Sequence, residues 1–337
     1  MFVRAVGIAA LLLAGAGSPG AALAQSAEVP SASSAALMQE VTRLAAGAGG
    51  VMGVAAWRLD GTGPKLLLNA DQAFPMASTF KVAVAGRILE LVDDGELTLD
   101  QMIGVDPGMH VASEVIADRF VHPGLSMSVY NLLELMLTQS DNTATDVLTA
   151  AAGGPGAVTK WVRDQGVTDQ RIDRDTAGLL REFYNLPATG TFMEAYEAAP
   201  DKEEMGEKAY LPNPAFDADP RDTSTPSAMA TLLTRIFNGE ALSPESTQVI
   251  AGIMERCRTG AGRLKGQLPP ETVVAHKTGT IGGTVNDVGV ITLPRGDQLV
   301  IVTFVKESAM PPADRERAIA EVARAAHDYF LFTAPQN

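Results

Sequence analysis

The chain holds one cysteine, Cys257, among 337 residues. A single thiol rules out an internal disulfide and any zinc or iron–sulfur site built on cysteine, so the fold must rest on its core. Histidine is almost as scarce, with four in the chain. They are scattered as His110, His122, His276 and His327, and neither His-Glu-x-x-His nor Gly-x-Ser-x-Gly occurs. A zinc protease helix and a Ser-His-Asp hydrolase are therefore not expected, and no metal or cofactor is implied. Positive charge is also short: 26 basic residues face 40 acidic ones, for a net charge of −14. No basic patch of the kind that tracks phosphates is present, which argues against nucleic acid or another polyanion as partner.

Long apolar runs are missing too. The stretch 6–13 near the N-terminus is too short for a permanent membrane span. It follows Arg4 and precedes small residues ending in Ala22-Leu23-Ala24. That order describes a secretory signal over residues 1–24, cleaved near Ala24, and predicts a secreted, periplasmic protein with a mobile leader over 25–34. What is present is globular: 46% hydrophobic residues and a mean hydropathy of +0.08.

Residues 35–46 carry Leu37, Val41 and Leu44 at helical spacing, and 51–59 and 65–68 read as strands joined by Asp60-Gly61-Thr62-Gly63. A helix opens near Pro75 and Ser78 and runs to about Asp93. Helices over 129–137, with Ser126 as cap, then 143–152, 157–165 and 227–237 fill the middle. Residues 272–280, 287–293 and 298–305 form a Val/Ile/Thr-rich meander, and a last helix runs from Pro312 to Leu331. Strands come from both ends and helices from the middle. The expected fold class is α+β: an antiparallel sheet flanked by terminal helices, with an all-helical subdomain inserted. The sheet subdomain takes about 35–77 and 227–333, and the helical one about 78–226.

Ser78 and Lys81 stand three apart at the head of an apolar helix, so they share a face. Burial makes a lysine ammonium costly and lowers its pKa toward that of a base, which places a base beside a nucleophile. Ser140-Asp141-Asn142 and Lys277-Thr278-Gly279-Thr280 follow in that order. The three motifs resemble those of the class A β-lactamases and penicillin-binding proteins. Arg171-Ile172-Asp173-Arg174 and Arg221-Asp222-Thr223-Ser224-Thr225-Pro226 extend the likeness over about residues 35–333.

The resemblance implies roles. Ser78 would be the nucleophile and Lys81 its base; Ser140 would pass a proton to the leaving nitrogen. Backbone N–H groups of Ser78 and Thr280 would form the oxyanion hole. Asn142 would brace Lys81 and bind the substrate amide, while Lys277, Thr278, Gly279 and Thr280 would hold a carboxylate. Arg263, before the third motif, is a candidate carboxylate ligand. The substrate would be a small β-lactam or peptidoglycan-like molecule, and the protein a monomer. The likeness breaks where the family places a deacylating glutamate, because Thr176 stands there. An insertion over about 177–220 follows. Within it Glu182 is the deacylation candidate, with Asp175 next. A β-lactamase is the leading expectation. A D-alanyl-D-alanine peptidase or esterase of the same fold, or a slowly deacylating penicillin-binding protein, is the alternative.

Overall fold

A computed structural model describes residues 32–113, 115–200 and 202–333. The signal segment and most of the leader lie outside the described residues. Helix α1 (Ala32–Ala45) leads into β1 (Val51–Arg58), β2 (Leu66–Leu68) and β3 (Phe74–Pro75). One turn of 3-10 helix, Ala77–Phe80, precedes α2 (Lys81–Asp93). The nucleophile candidate thus sits in a tight turn at the helix head, and the lysine is the first α-helical residue. Strand β4 (Met102–Gly104), the single turn α3 (Ile116–Arg119) and β5 (Ser126–Ser128) come next. Helices α4 (Val129–Thr138), α5 (Asn142–Ala151) and α6 (Pro155–Asp164) complete the helical side. Ser128, not Ser126, caps α4, its hydroxyl accepting the Asn131 N–H; Ser126 instead pairs with Gly104 across β4 and β5.

The insertion is itself ordered into α7 (Thr176–Phe183), α8 (Phe192–Glu197), α9 (Lys202–Lys208) and α10 (Pro214–Asp217), ahead of β6 (Thr223–Ser224). Helices α11 (Pro226–Phe237) and α12 (Pro244–Glu255), strands β7 (Val274–Ile281), β8 (Thr284–Thr292) and β9 (Gln298–Lys306), and α13 (Pro312–Phe332) close the chain. The main sheet runs β2-β1-β9-β8-β7, antiparallel throughout.

Alternation along the strands feeds two cores. Val54, Ala56, Val274, Ile291 and Ile301 face α1 and α13. Ala55, Ala275, Val288, Val290 and Val302 face the helical side, where the first half of α2 is buried, with Val82 to Ala85 unexposed. Helix α12 joins this second core through Ile250, Ile253 and Met254, so residues 244–255 pack with the helices although they follow the sheet-side helix α11. Gly86 is required there, because a Cβ would lie 2.1 Å from the Trp161 ring. Strand β7 is the sheet edge beside the head of α2. That edge and that helix end form the two walls of the site.

Candidate active site

The 3-10 turn at Ala77–Phe80 is held from below. Asn286 of β8 donates from its amide to the carbonyls of Pro75 and Met76, at 2.9 and 3.0 Å, and accepts the Val305 N–H. Ala77 takes a left-handed conformation, with φ of 45°. Such strain persists where surrounding contacts over-determine the backbone. Gly279 of β7 packs against this turn: a Cβ there would stand 2.6 Å from the Met76 carbonyl and 3.0 Å from the Ser78 N–H nitrogen. Only glycine lets the strand edge come so close. Ser78 is half-buried between buried Ala77 and Thr79, so its side chain is reachable from the cleft.

Lys81 is wholly buried. Its ammonium donates to the Ser140 carbonyl at 2.7 Å, the Asn142 Oδ1 at 2.9 Å and the Ser140 hydroxyl at 3.2 Å. Burial, reinforced by the charge of Lys277, pulls its pKa well below the ordinary lysine value; Asp141 and Asp146 oppose that pull. Lys277 is equally buried, and burial brings it to about 8 against the opposing negative charges of Cys257 and Asp287. It donates to the Ser140 hydroxyl at 3.0 Å and the Thr278 carbonyl at 2.8 Å.

Ser140 therefore receives two lysine donors on one hydroxyl, filling both lone pairs. Its single proton is then left for another acceptor. The residue is placed by a left-handed turn, φ 59°, between α4 and α5. Asp141 fixes that turn, its buried carboxylate accepting from the N–H groups of Ala144 and Ile116 and the Ser113 hydroxyl. Asn142 uses its amide oxygen on Lys81 and donates to the Ala112 carbonyl at 2.8 Å, leaving one N–H for a ligand.

Thr280 is the one exposed residue of β7. Arg263 reaches it from behind. Its guanidinium is buried, donating to the Thr280 hydroxyl at 2.7 Å, to the Gly279 and Asn286 carbonyls, and to Glu316 at 2.9 Å. The arginine is thus bound into the wall and touches the cleft through Thr280. Thr278 bonds Thr259 at 2.6 Å.

The deacylation candidates lie differently from the sequence expectation. Glu182 is half exposed and clamped by two guanidinia, Arg174 at 2.7 Å and Arg221 at 2.6 Å, with the Arg221 hydrogen bond chiefly holding its carboxyl below the usual range. It bridges the two ends of the insertion, which Arg174 and Asp222 also close at 2.6 Å. Asp175 caps α7 by accepting the Gly178 N–H. The hydrogen bonds of neither carboxylate reach Ser78, Lys81 or Ser140. Glu182→Gln is accordingly expected to leave single-turnover deacylation within about threefold of wild type, since exposed ion pairs contribute little; a loss beyond a hundredfold would return it to the chemistry.

Sequence reasoning passed over Asp146, one turn beyond Asn142 on α5. It is buried and accepts the N–H groups of Thr176 and Ala177 at 2.7 and 2.9 Å, pinning the head of α7. A carboxylate amid Val147, Leu148 and Ala144 was the available signal. Burial, then the charge of Asp175, raises its pKa to about 7 from 3.8. Between those values the folded protein keeps a proton that the unfolded chain has lost, so stability falls as pH rises through that window. The Asp146→Asn variant should abolish this slope, worth up to about 4 kcal/mol. Denaturant melts of both proteins from pH 4 to 8 test it, and a difference curve without pH dependence contradicts it.

The insertion folds onto the nucleophile's turn. Leu179, Phe183 and Phe216 pack with Ala77 and Ile281. The buried Arg315 fastens its far end, donating to the Tyr210 and Gly282 carbonyls, and Gly282 donates to Ala209. A cavity of about 680 Å³ lies inside the insertion, lined by Tyr184, Leu186, Met205 and Leu211 among others. No motif residue lines it, so the chemistry belongs to the Ser78 cleft. Among the described residues no cluster of His, Cys, Asp or Glu is arranged to hold a metal, and no helix is long and apolar enough to cross a membrane.

The β-lactamase enzyme family model matches residues 36–330. β-Lactamase VEB-1 of Pseudomonas aeruginosa is 31% identical over 276 residues, 79% of this chain and 81% of that protein. Extended-spectrum β-lactamase PER-1 of the same organism is 31% identical over 309 residues, 89% of each chain. Among solved structures, an ancestral class A β-lactamase superposes with a TM-score of 0.72 at 34% identity, covering 87% of this chain and all of that one. A β-lactamase from Chitinophaga pinensis gives 0.72 at 31%, over 87% and 98%.

Proposed function

The chain belongs to the β-lactamase enzyme family, and from that premise we propose that it is a serine β-lactamase opening the lactam amide through an acyl-enzyme on Ser78. The observation that carries this reading is the Ser140 hydroxyl held between Lys81 and Lys277, with half-buried Ser78 in the turn that leads into the Lys81 helix. Lys81, whose burial pulls its pKa well below the ordinary lysine value and so favours proton loss, acts as the base that takes the Ser78 proton as Oγ attacks the lactam carbonyl carbon. The N–H groups of Ser78 and Thr280 receive the developing oxyanion. As the C–N bond breaks, Ser140 gives its proton to the nitrogen and regains one from the Lys81 ammonium. The ester on Ser78 remains. Lys277, Thr278 and Thr280 supply donors for a substrate carboxylate.

Hydrolysis of that ester needs a base for water, and threonine cannot serve as one. With Glu182 engaged by Arg174 and Arg221, Lys81 is the base left for that step, and release is the slower half-reaction. Rapid-mixing with nitrocefin should give a burst equal to the enzyme concentration followed by a slower steady rate. The alternative, a D-alanyl-D-alanine peptidase or a slowly deacylating penicillin-binding protein, is favoured by the same Thr176. It gains if D-alanine release from a D-Ala-D-Ala peptide outpaces nitrocefin turnover. Export to the periplasm, with cleavage near Ala24, and action as a monomer on a small molecule complete the proposal.

A further inference from the structure

The insertion holds a cavity that the acylation chemistry does not use. It measures about 680 Å³, within the range of pockets that take drug-sized molecules, and no motif residue lines it. Its wall is mostly apolar. Phe183 and Tyr184, at the end of α7, meet edge to face with ring centroids 5.0 Å apart, and Leu186, Met205 and Leu211 close round them. Pro187, Pro200, Pro212 and Pro214 fix the backbone at four further points, so the shape is set before a ligand arrives. Leu211 is 50% exposed, which leaves apolar surface in water at the mouth and gives an apolar ligand its driving force.

Among the described residues, the charged side chains on this wall are Glu204 and Lys208. They pair with each other at 2.5 Å, one turn apart on α9. No charge is left over to meet a charged ligand, and one buried there would lose its hydration without a partner. The Asn213 amide oxygen is also engaged, capping α10 by accepting the Phe216 N–H at 3.2 Å. An uncharged molecule fits this wall, and an aromatic one gains the ring pair as partner. An anionic β-lactam does not.

The cavity shares a side chain with the catalytic turn. Phe183 packs with Ala77, the left-handed residue before Ser78, and with Ile281 at the end of β7. Its ring also meets Phe216 edge to face at 5.3 Å. Gly282, at φ 55°, fits against the same wall: a Cβ would stand 2.9 Å from the Leu211 carbonyl and 3.2 Å from the Phe183 ring.

We propose that the insertion is a binding site for an uncharged aromatic small molecule, whose occupancy steadies Phe183 against Ala77. The site goes beyond the function proposed above and uses none of its residues.

The neutral dye N-phenyl-1-naphthylamine, which fluoresces in apolar surroundings, is the probe. Titrated into the wild-type protein, it should bind once per chain with a Kd below about 50 μM. Ala198→Trp fills the cavity from an exposed lining position and should weaken binding at least about tenfold. Leu211→Glu, also at an exposed position, sets an unpaired charge at the mouth and should weaken it about fivefold or more. Circular dichroism establishes that each variant is folded. The anionic analogue 8-anilinonaphthalene-1-sulfonate should bind the wild type at least about tenfold more weakly than the neutral dye. Saturating neutral dye should slow amide exchange in the α7 peptide about threefold or more. No saturable binding, either folded variant within twofold of wild type, an equal or tighter sulfonate, or unchanged α7 exchange overturns the inference. Ser78→Ala should bind the dye as the wild type does, so a protein that never acylates sinks the functional reading and leaves this test standing.

Discussion

Ser78→Ala is expected to lose β-lactam turnover by at least about 10⁴-fold and to form no covalent adduct, because the reaction loses the atom that carries the acyl group. The replaced side chain is small and half-buried, so the fold should persist. Lys277, Thr278 and Thr280 are untouched, and non-covalent binding of an anionic β-lactam should survive within about threefold. Stopped-flow acylation and equilibrium binding on the same preparation separate the two effects. Binding lost together with turnover would mean that Ser78 holds the cleft together rather than reacts in it.

Lys81→Met should be nearly as damaging to catalysis and almost harmless to stability. The amine is the base that loads Ser78, so acylation is expected to slow by about 10³-fold or more. A buried ammonium is costly to keep, and methionine fills the same space without the charge. Against that gain stand the Ser140 carbonyl and Asn142 Oδ1, which lose their donor. The two terms oppose, so the melting temperature should move by less than about 4 °C. A collapse of the fold, or acylation within tenfold of wild type, would contradict the assignment of Lys81 as the base.

The local parts of this site were legible in the sequence because they are local. Ser78 and Lys81 are one turn apart, Ser140 to Asn142 form one turn, and Lys277 to Thr280 lie on one strand, so short strings carried them. The late meander and its antiparallel order followed from alternating Val, Ile and Thr, and they stand in the structure as β7, β8 and β9. Helix α12 went unread, although Ser243 caps it and Pro244 begins it. What a string cannot show is which distant groups share a burial site. Asn286 braces the Ser78 turn from β8, Asp146 pins the head of α7, and Asp287 meets His276 across the ladder. Each depends on sheet register or loop packing fixed only in three dimensions.

The insertion illustrates the same limit. Its length is too great for a plain loop in a compact domain, and the sequence offers Glu182 as a substitute base if that segment folds over Ser78. It does fold back, through Phe183 and Phe216 onto Ala77 and through Arg315 onto the Tyr210 carbonyl. But Glu182 ends between Arg174 and Arg221, on the outside of the staple that closes the insertion. Leu179 and Phe183 occupy the buried face of α7, while Glu182, about 100° round the helix from Phe183, sits at its exposed flank.

Acylation of Ser78 is tested by intact-mass analysis with peptide mapping after exposure to benzylpenicillin. One added penicillin per chain is expected, mapped to the peptide containing Ser78, absent in Ser78→Ala and accumulating because release is slow. An unmodified wild-type protein that also fails to consume the drug, or an adduct mapped to any other residue, would contradict it.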